Sequence, residues 1–311
     1  MAAKGTTCEV PSPKHPRPRQ NEAVPAPAPA DARRLWRVLE PLHALIYFAP
    51  EALDHYRQVG LKGGWMGYFA SRSAPMGPVP PQVVTATFFN FAPPMVERAI
   101  PDAWALAEPA TILSARLAAA DIALRRLLGD DIASPEVAEA AEIARAATEV
   151  ATTEGRPLFG GHAALAWPDE PHLRLWHAAT LLREHRGDGH VAVLTAESVT
   201  GLEAHILIVG QGVMPRSTMQ AVRGWTDEEW DAAAKGLRSR NLIDGDDELT
   251  DEGRDLRTRV EARTDRLAVT PYSKLGGQRT ERLYELARPL ALRIVDQGGL
   301  PIPNPVGVPA P

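Results

Sequence analysis

The sequence predicts a mainly α protein: an N-terminal helical domain followed by a C-terminal winged helix-turn-helix with a small β-hairpin wing. Three observations carry that expectation. Thr200 with Glu203 and Thr226 with Glu229 are capping boxes, in which a hydroxyl accepts the amide three residues on and a glutamate reaches back to the cap amide. Trp225 and Trp230 flank the second box at the positions of a hydrophobic staple. Directly behind them, Leu242-Ile243, an Asp244-Gly245 turn and Glu248-Leu249-Thr250 read as a two-strand hairpin.

The elements follow in order. Residues 1–30 hold seven prolines and four Lys/Arg with almost no large apolar side chains, so a disordered Pro-rich tail is expected there. A helical, aromatic-rich N-terminal domain is expected over 31–168. Asp31 reads as the cap of a helix reaching about Phe48, whose Leu35, Val38, Leu39, Leu42, Leu45 and Ile46 make a broad apolar face. Pro50 opens a second helix through Tyr56. The stretch 61–104 is broken by Gly and Pro yet dense in aromatics. Within it helix and strand compete for Gln82–Phe91, and the Pro80-Pro81 pair tilts the balance to helix. Residues 111–128 and 135–152 read as an antiparallel helical hairpin, with Gly129 as its stop and Ser134-Pro135 as the next start.

The winged-helix domain with its C-terminal helices is expected over 169–297. Pro171–Arg186 reads as a helix ended by Gly187, with another over His190–Ala196 before the Thr200 start. The stapled helix runs from Asp227 to about Asn241, with Trp230, Ala233, Ala234 and Leu237 as its buried stripe. Thr250 caps a helix over about Asp251–Leu267, and Thr280–Gln297 makes the last one. The five prolines of 298–311 predict an extended tail.

Composition narrows the chemistry. Cys8 is the only cysteine and lies in the Pro-rich tail, which excludes internal disulfides and a cysteine-based zinc site. No apolar run approaches the ~20 residues of a membrane span, so a cytoplasmic protein with no membrane partner is expected. The glycines at 63, 64 and 67 fit neither phosphate-binding fingerprint, and the sequence calls for no cofactor. His172/His177 and His185/His190 are each five apart and do not share a helix face, so no metal is expected.

Two regions are candidates for function. The run Arg183-Glu184-His185-Arg186-Gly187-Asp188-Gly189-His190 crowds titratable groups around an expected helix end, with Arg186 continuing the apolar line Leu175, Ala179, Leu182. A buried guanidinium needs a carboxylate, and Asp188, across the expected glycine turn, is the first candidate, with Glu184 and Glu203 as alternatives. One reading is an Arg–Asp clasp joining two helices. The other is a pocket in which Arg183, His185, Arg186, Asp188 and His190 hold an anionic or polar small molecule, with His185, His190 and Asp188 as candidate acid/base groups. Trp65, Tyr68, Arg72 and Asn90 of the aromatic segment would supply its opposite wall. The second region is the helix-turn-helix itself, where Arg223, Lys235, Arg238 and Arg240 are the candidate DNA contacts, helped by Arg216. Residues 226–252 nevertheless carry ten acids against three bases, opposite to what phosphate contact asks for.

The chain also resembles a known family, the helix-turn-helix proteins of actinobacteria often labelled MarR-like regulators, over about residues 33–306. The resemblance runs through Tyr47-Phe48-Ala49-Pro50-Glu51, Gly67-Tyr68-Phe69-Ala70-Ser71-Arg72-Ser73-Ala74-Pro75, Asn90-Phe91, Leu182 to His190, Gly224-Trp225-Thr226 with Trp230, and Thr264-Asp265-Arg266-Leu267. It implies a ligand-responsive, DNA-binding transcription regulator acting as a homodimer. The basic wing arginine of the better-known MarR pattern is missing from 244–250. The alternative is a small-molecule-binding protein or enzyme on the same scaffold that uses the Arg183–His190 cluster and leaves DNA alone.

Overall fold

The computed structural model describes residues 25–304, 306–308 and 310–311, so the expected tail over 1–30 lies outside it except for 25–30. The first helix, α1, is Pro29–Ala44. It begins earlier than the sequence suggests, because Pro29 is preorganised for a first turn. Asp31 therefore sits inside that turn and accepts the Ala28 N–H at 2.8 Å instead of capping from outside.

There follow α2 (Pro50–Gln58), α3 (Gly63–Ser73), α4 (Pro81–Phe88) and the short α5 (Pro93–Glu97) and α6 (Asp102–Leu106). Helix wins over strand at 81–88, as Pro80 and Pro81 foreshadow. Next come α7 (Pro109–Leu128), α8 (Pro135–Thr148), α9 (Pro157–Ala163) and α10 (Pro171–Ala196). Ser134 caps α8 by accepting the Val137 N–H at 3.3 Å. The expected hairpin of α7 on α8 is corrected: α8 packs chiefly along α10. Four alanines of α8 (Ala140, Ala141, Ala144, Ala147) are buried, and small side chains let helices approach closely.

The expected break at Gly187 is a second correction, since α10 is one helix straight through Gly187-Asp188-Gly189. Glycine inside a helix costs only about 1 kcal/mol relative to alanine, and here a tertiary contact decides. Arg156 donates to the His185 carbonyl and, at 3.0 Å, to the Leu267 carbonyl. A Cβ at Gly189 would stand 2.8 Å from the Arg156 Nη1.

The helix-turn-helix comprises α11 (Gly201–Val209), α12 (Arg216–Arg223) and α13 (Asp227–Ser239). Both capping boxes form: Thr200 Oγ1 accepts the Glu203 N–H at 3.3 Å, and Thr226 Oγ1 accepts that of Glu229 at 3.2 Å. The sequence reading missed α12. Gly224 makes the tight turn between α12 and α13 with φ +79°, a left-handed conformation that suits glycine. Trp230, Ala234 and Leu237 bury one face of α13, and Trp225 packs against the same cluster.

The β-hairpin wing is a third correction. Among the described residues there is no strand, and Ile243 and Leu249 make one isolated antiparallel bridge. The reason lies in the acidic turn. Asp244 Oδ1 accepts the amides of Asp246 and Glu248, both at 3.0 Å, and Leu249 N–H leaves the ladder for the Gly210 carbonyl at 3.2 Å. Asp247, at φ 65°, tightens the loop further.

Thr250 caps α14 (Asp251–Ala268), after which α15 (Thr270–Leu275) and α16 (Gly277–Asp296) turn back onto α1 and α8. These last helices therefore join the first core and not the helix-turn-helix. Leu300 and Val308 also fold back to be buried with Ala44, and the Asn304 side chain donates to the Val308 carbonyl at 2.9 Å.

Two apolar cores result. One gathers α1–α9, the first half of α10, the end of α14, α15 and α16, and the other gathers the end of α10 with α11–α13 and the first part of α14. Among the described residues only α10 and α14 contribute side chains to both, and their polar residues lie at the seam.

Candidate functional site

Leu173 to Leu182 of α10 belong to the first core, and Val193 and Leu194 to the second. The Arg183–His190 run is thus a polar layer between two apolar ones. At its centre is Glu184, fully buried. Arg72 of α3 meets it with two bonds of 3.1 Å from Nε and Nη2, and Arg183 adds a third at 2.6 Å. Burial pushes the Glu184 carboxyl up, but the guanidiniums of Arg183 and Arg72 overrule it and hold it well below the usual carboxylate range. Arg183 also reaches Glu40 of α1 at 3.3 Å, and Glu40 accepts Trp36 Nε1–H at 3.1 Å. Burial wins at Glu40, whose pKa is raised despite Arg183.

Arg186 does not pair with Asp188. Its Nη2 lies 3.0 Å from Asp265 and 3.3 Å from Glu261, both on α14, with its guanidinium 4.9 Å from the centre of the Trp36 ring. Arg33 of α1 bonds the same two acids at 2.7 and 2.9 Å. A clasp exists, but it ties α10 to α14 and α1. Asp188 instead accepts the Phe159 N–H at the start of α9, at 2.9 Å, and burial raises its pKa to about 6.

The His185 ring stands edge-on to Phe159 at 5.2 Å, and burial, with Arg156 in second place, lowers its pKa to about 3. His190 Nδ1 lies 2.9 Å from Thr264 Oγ1. That hydroxyl already donates to the Val260 carbonyl, which makes the histidine the donor. Burial lowers the His190 pKa to about 4. Trp36, Glu40, Arg183, His185, Arg186 and Tyr272 surround a cavity of about 10 Å³, room for one water molecule.

Of the expected opposite wall, only Arg72 and Tyr68 reach this layer, with Arg72 Nη1 donating to the Tyr68 hydroxyl at 3.0 Å. Trp65, Tyr68, Phe69, Phe88 and Phe91 pack on one another, with Phe69 and Phe91 centroids 4.9 Å apart. Phe69, Phe88 and Phe91 are core, Tyr68 is half-buried against them, and Trp65 is exposed. Asn90 acts through its backbone: its carbonyl accepts from His205 Nε2 at 3.1 Å and Trp225 Nε1 at 3.2 Å. Ala92 N–H donates to the Arg223 carbonyl at 2.9 Å. A Cβ on Gly201 would sit 2.0 Å from the Phe89 carbonyl oxygen. The turn 89–92 is therefore wedged between the aromatic core and the helix-turn-helix, a coupling that no local sequence signal announces.

Arg223 is buried over the Phe91 ring at 4.5 Å and turns away from the surface of α13. The other candidate DNA contacts are exposed. Lys235 projects from α13, Arg238 pairs with Asp247, and Arg240 bonds Glu203 at 3.1 Å. Arg216 bridges Asp227 and Asp231, each at 2.8 Å. Asp227, Glu228, Glu229 and Asp231 stand exposed on the first turns of α13. Dipole stabilisation of carboxylates at a helix start accounts for them locally.

Among the described residues no single helix is long and apolar enough to cross a membrane, and no three His, Cys, Asp or Glu gather as a metal site would require. The model of a helix-turn-helix family matches residues 32–301. No curated protein and no solved structure matches the chain.

Proposed function

Given that the chain belongs to this helix-turn-helix family, we propose that it is a MarR-like transcription regulator of the cytoplasm that meets duplex DNA as a homodimer and answers to a small molecule. One observation carries the reading: α13 follows a Gly224 turn, is anchored by Trp230, and keeps its opposite face in solvent. A helix held this way is what entry into a major groove requires. Lys235, Arg238, Arg240 and Arg216 are the phosphate contacts. The ion pairs that occupy these arginines are exposed, and such pairs are worth about 0–1 kcal/mol, so a phosphate can displace the carboxylate. The acids keep affinity low, with few counterions released.

Fluorescence anisotropy on a labelled duplex across a salt series tests this. Binding should weaken with salt at a slope of about 0.9 per phosphate contacted. Replacing Asp227 and Asp231 by Asn should tighten it. Absence of any salt-dependent binding, in both the native protein and the Asn variant, would refute DNA contact.

The acidic start of α13 favours a second reading, in which the helix-turn-helix is scaffold and a small molecule is held at Arg183, His185, Arg186, Asp188 and His190, next to Arg72 and Tyr68. The cavity there would have to open to admit more than water. A compound that raises the unfolding temperature of the native protein but not of a folded Arg186→Ala variant would support it.

A further inference from the structure

Between α7, α9 and α10 lies a group of buried donors that the polar layer does not use. Arg116 is 3% exposed, His162 0%, Trp176 3% and His177 5%. Among the described residues, Nε and Nη2 of Arg116, both ring nitrogens of His162, Nε1 of Trp176 and Nε2 of His177 have no hydrogen-bond partner. The four belong together. The Arg116 guanidinium carbon is 4.9 Å from the centre of the Trp176 ring, His177 follows Trp176 on α10, and α7 and α9, which carry Arg116 and His162, both pack on α10.

The charge of the group is one-sided. Arginine stays protonated inside proteins, and a buried charge without a partner costs several kcal/mol. Among the described residues no carboxylate pairs with Arg116, and three buried or half-buried acids are engaged elsewhere: Glu184 with Arg72 and Arg183, Glu40 with Arg183, and Asp121 with His172 and Arg125. Burial first, and Arg116 second, lowers His162 to about 3 and His177 to about 4, so both rings are neutral at ordinary pH and each brings one N–H donor and one acceptor nitrogen without adding charge. What remains is one uncompensated positive charge beside several N–H groups. Water would satisfy the donors but not the charge. A single negative charge satisfies both.

We propose that Arg116, His162, Trp176 and His177 form a binding site for a small monovalent anion, either a halide or the carboxylate of a small organic acid. The surroundings are close-packed, with Ala119 and Ala120 of α7 and Ala178 and Ala179 of α10 all fully buried, so only a small anion fits. It also has a mechanical link. His162 sits on α9, which the Asp188 bond to Phe159 and the Phe159–His185 contact tie to the polar layer. The inference stands independently of whether α13 contacts DNA.

Thermal unfolding of the full chain in sodium bromide and in sodium formate, at constant ionic strength, tests it. The midpoint should rise and saturate with at least one anion, and Arg116→Met should abolish the saturable rise. Bromide alone identifies a halide site, and formate alone a carboxylate site. A bromide-soaked crystal should give an anomalous peak beside Arg116. No saturable rise with either salt, an unchanged rise in the variant, or peaks only elsewhere would overturn the proposal. Should Arg116→Met fail to fold, His162→Leu takes its place in the salt series, with the same expected loss.

Discussion

Glu184 is where one side chain matters most, because two buried guanidiniums depend on it. Removing one partner of a buried ion pair costs about 3–5 kcal/mol, since the other charge stays buried. Glu184→Ala should therefore lower stability by about that amount in urea titrations, and a loss below about 1 kcal/mol would show that Arg72 and Arg183 can reach water. The buried histidines make a second prediction. His162, His185 and His205 are lowered to about 3, and His177 and His190 to about 4, mainly by burial. Their unfolded value is about 6.5, so as pH falls below that the unfolded chain takes up protons that the native one refuses, and stability drops. Asp188, raised to about 6, acts oppositely: its contribution is full below its unfolded value of about 3.9 and is lost as pH rises through 6. Five histidines outweigh one aspartate. The unfolding free energy should fall steadily from pH 7 to pH 5, by up to about 1.4 kcal/mol per histidine for each unit below 6.5. A flat profile would mean that these rings protonate in place.

Among the helices, α10 gives the sharpest test of how tertiary contact overrides a local signal. Helix propensity alone says that Gly189→Ala should stabilise by about 1 kcal/mol. The added methyl would meet Arg156 Nη1 at 2.8 Å and loosen its bonds to the His185 and Leu267 carbonyls. We expect a lower urea midpoint for Gly189→Ala, and a higher one would show that Arg156 simply moves aside. The same contrast separates the capping boxes from the wing. Thr200, Thr226 and Thr250 cap their helices as the sequence says, because a cap is complete within four residues. The hairpin needed a ladder between two short segments, and the Asp244 carboxylate and the Gly210 carbonyl took its amides instead.

Across the whole molecule, α10 and α14 run through both cores, and the Arg186–Asp265–Arg33 clasp and the 89–92 turn tie those cores together. Cooperative unfolding is the expected result. Native-state hydrogen exchange should give the slowest amides of α7 and α13 similar opening free energies, whereas a much lower value in α13 would mean that the helix-turn-helix opens alone. By itself the sequence determined the helical class, most helix starts and the Trp230 stripe of α13. Those signals are local: caps, prolines and 3.6-residue periodicity act within a turn or two of chain. It also singled out Arg183–His190 as a crowd of charges. Which partners they take was decided only by the tertiary structure, since Glu184 meets Arg72 from 112 residues away and Arg186 meets Glu261 from 75. Likewise Arg223, legible as a surface base, became core when Phe91 came to lie beneath it. A buried charge takes whichever counter-charge packing brings within reach, and spacing along the chain carries no record of that meeting.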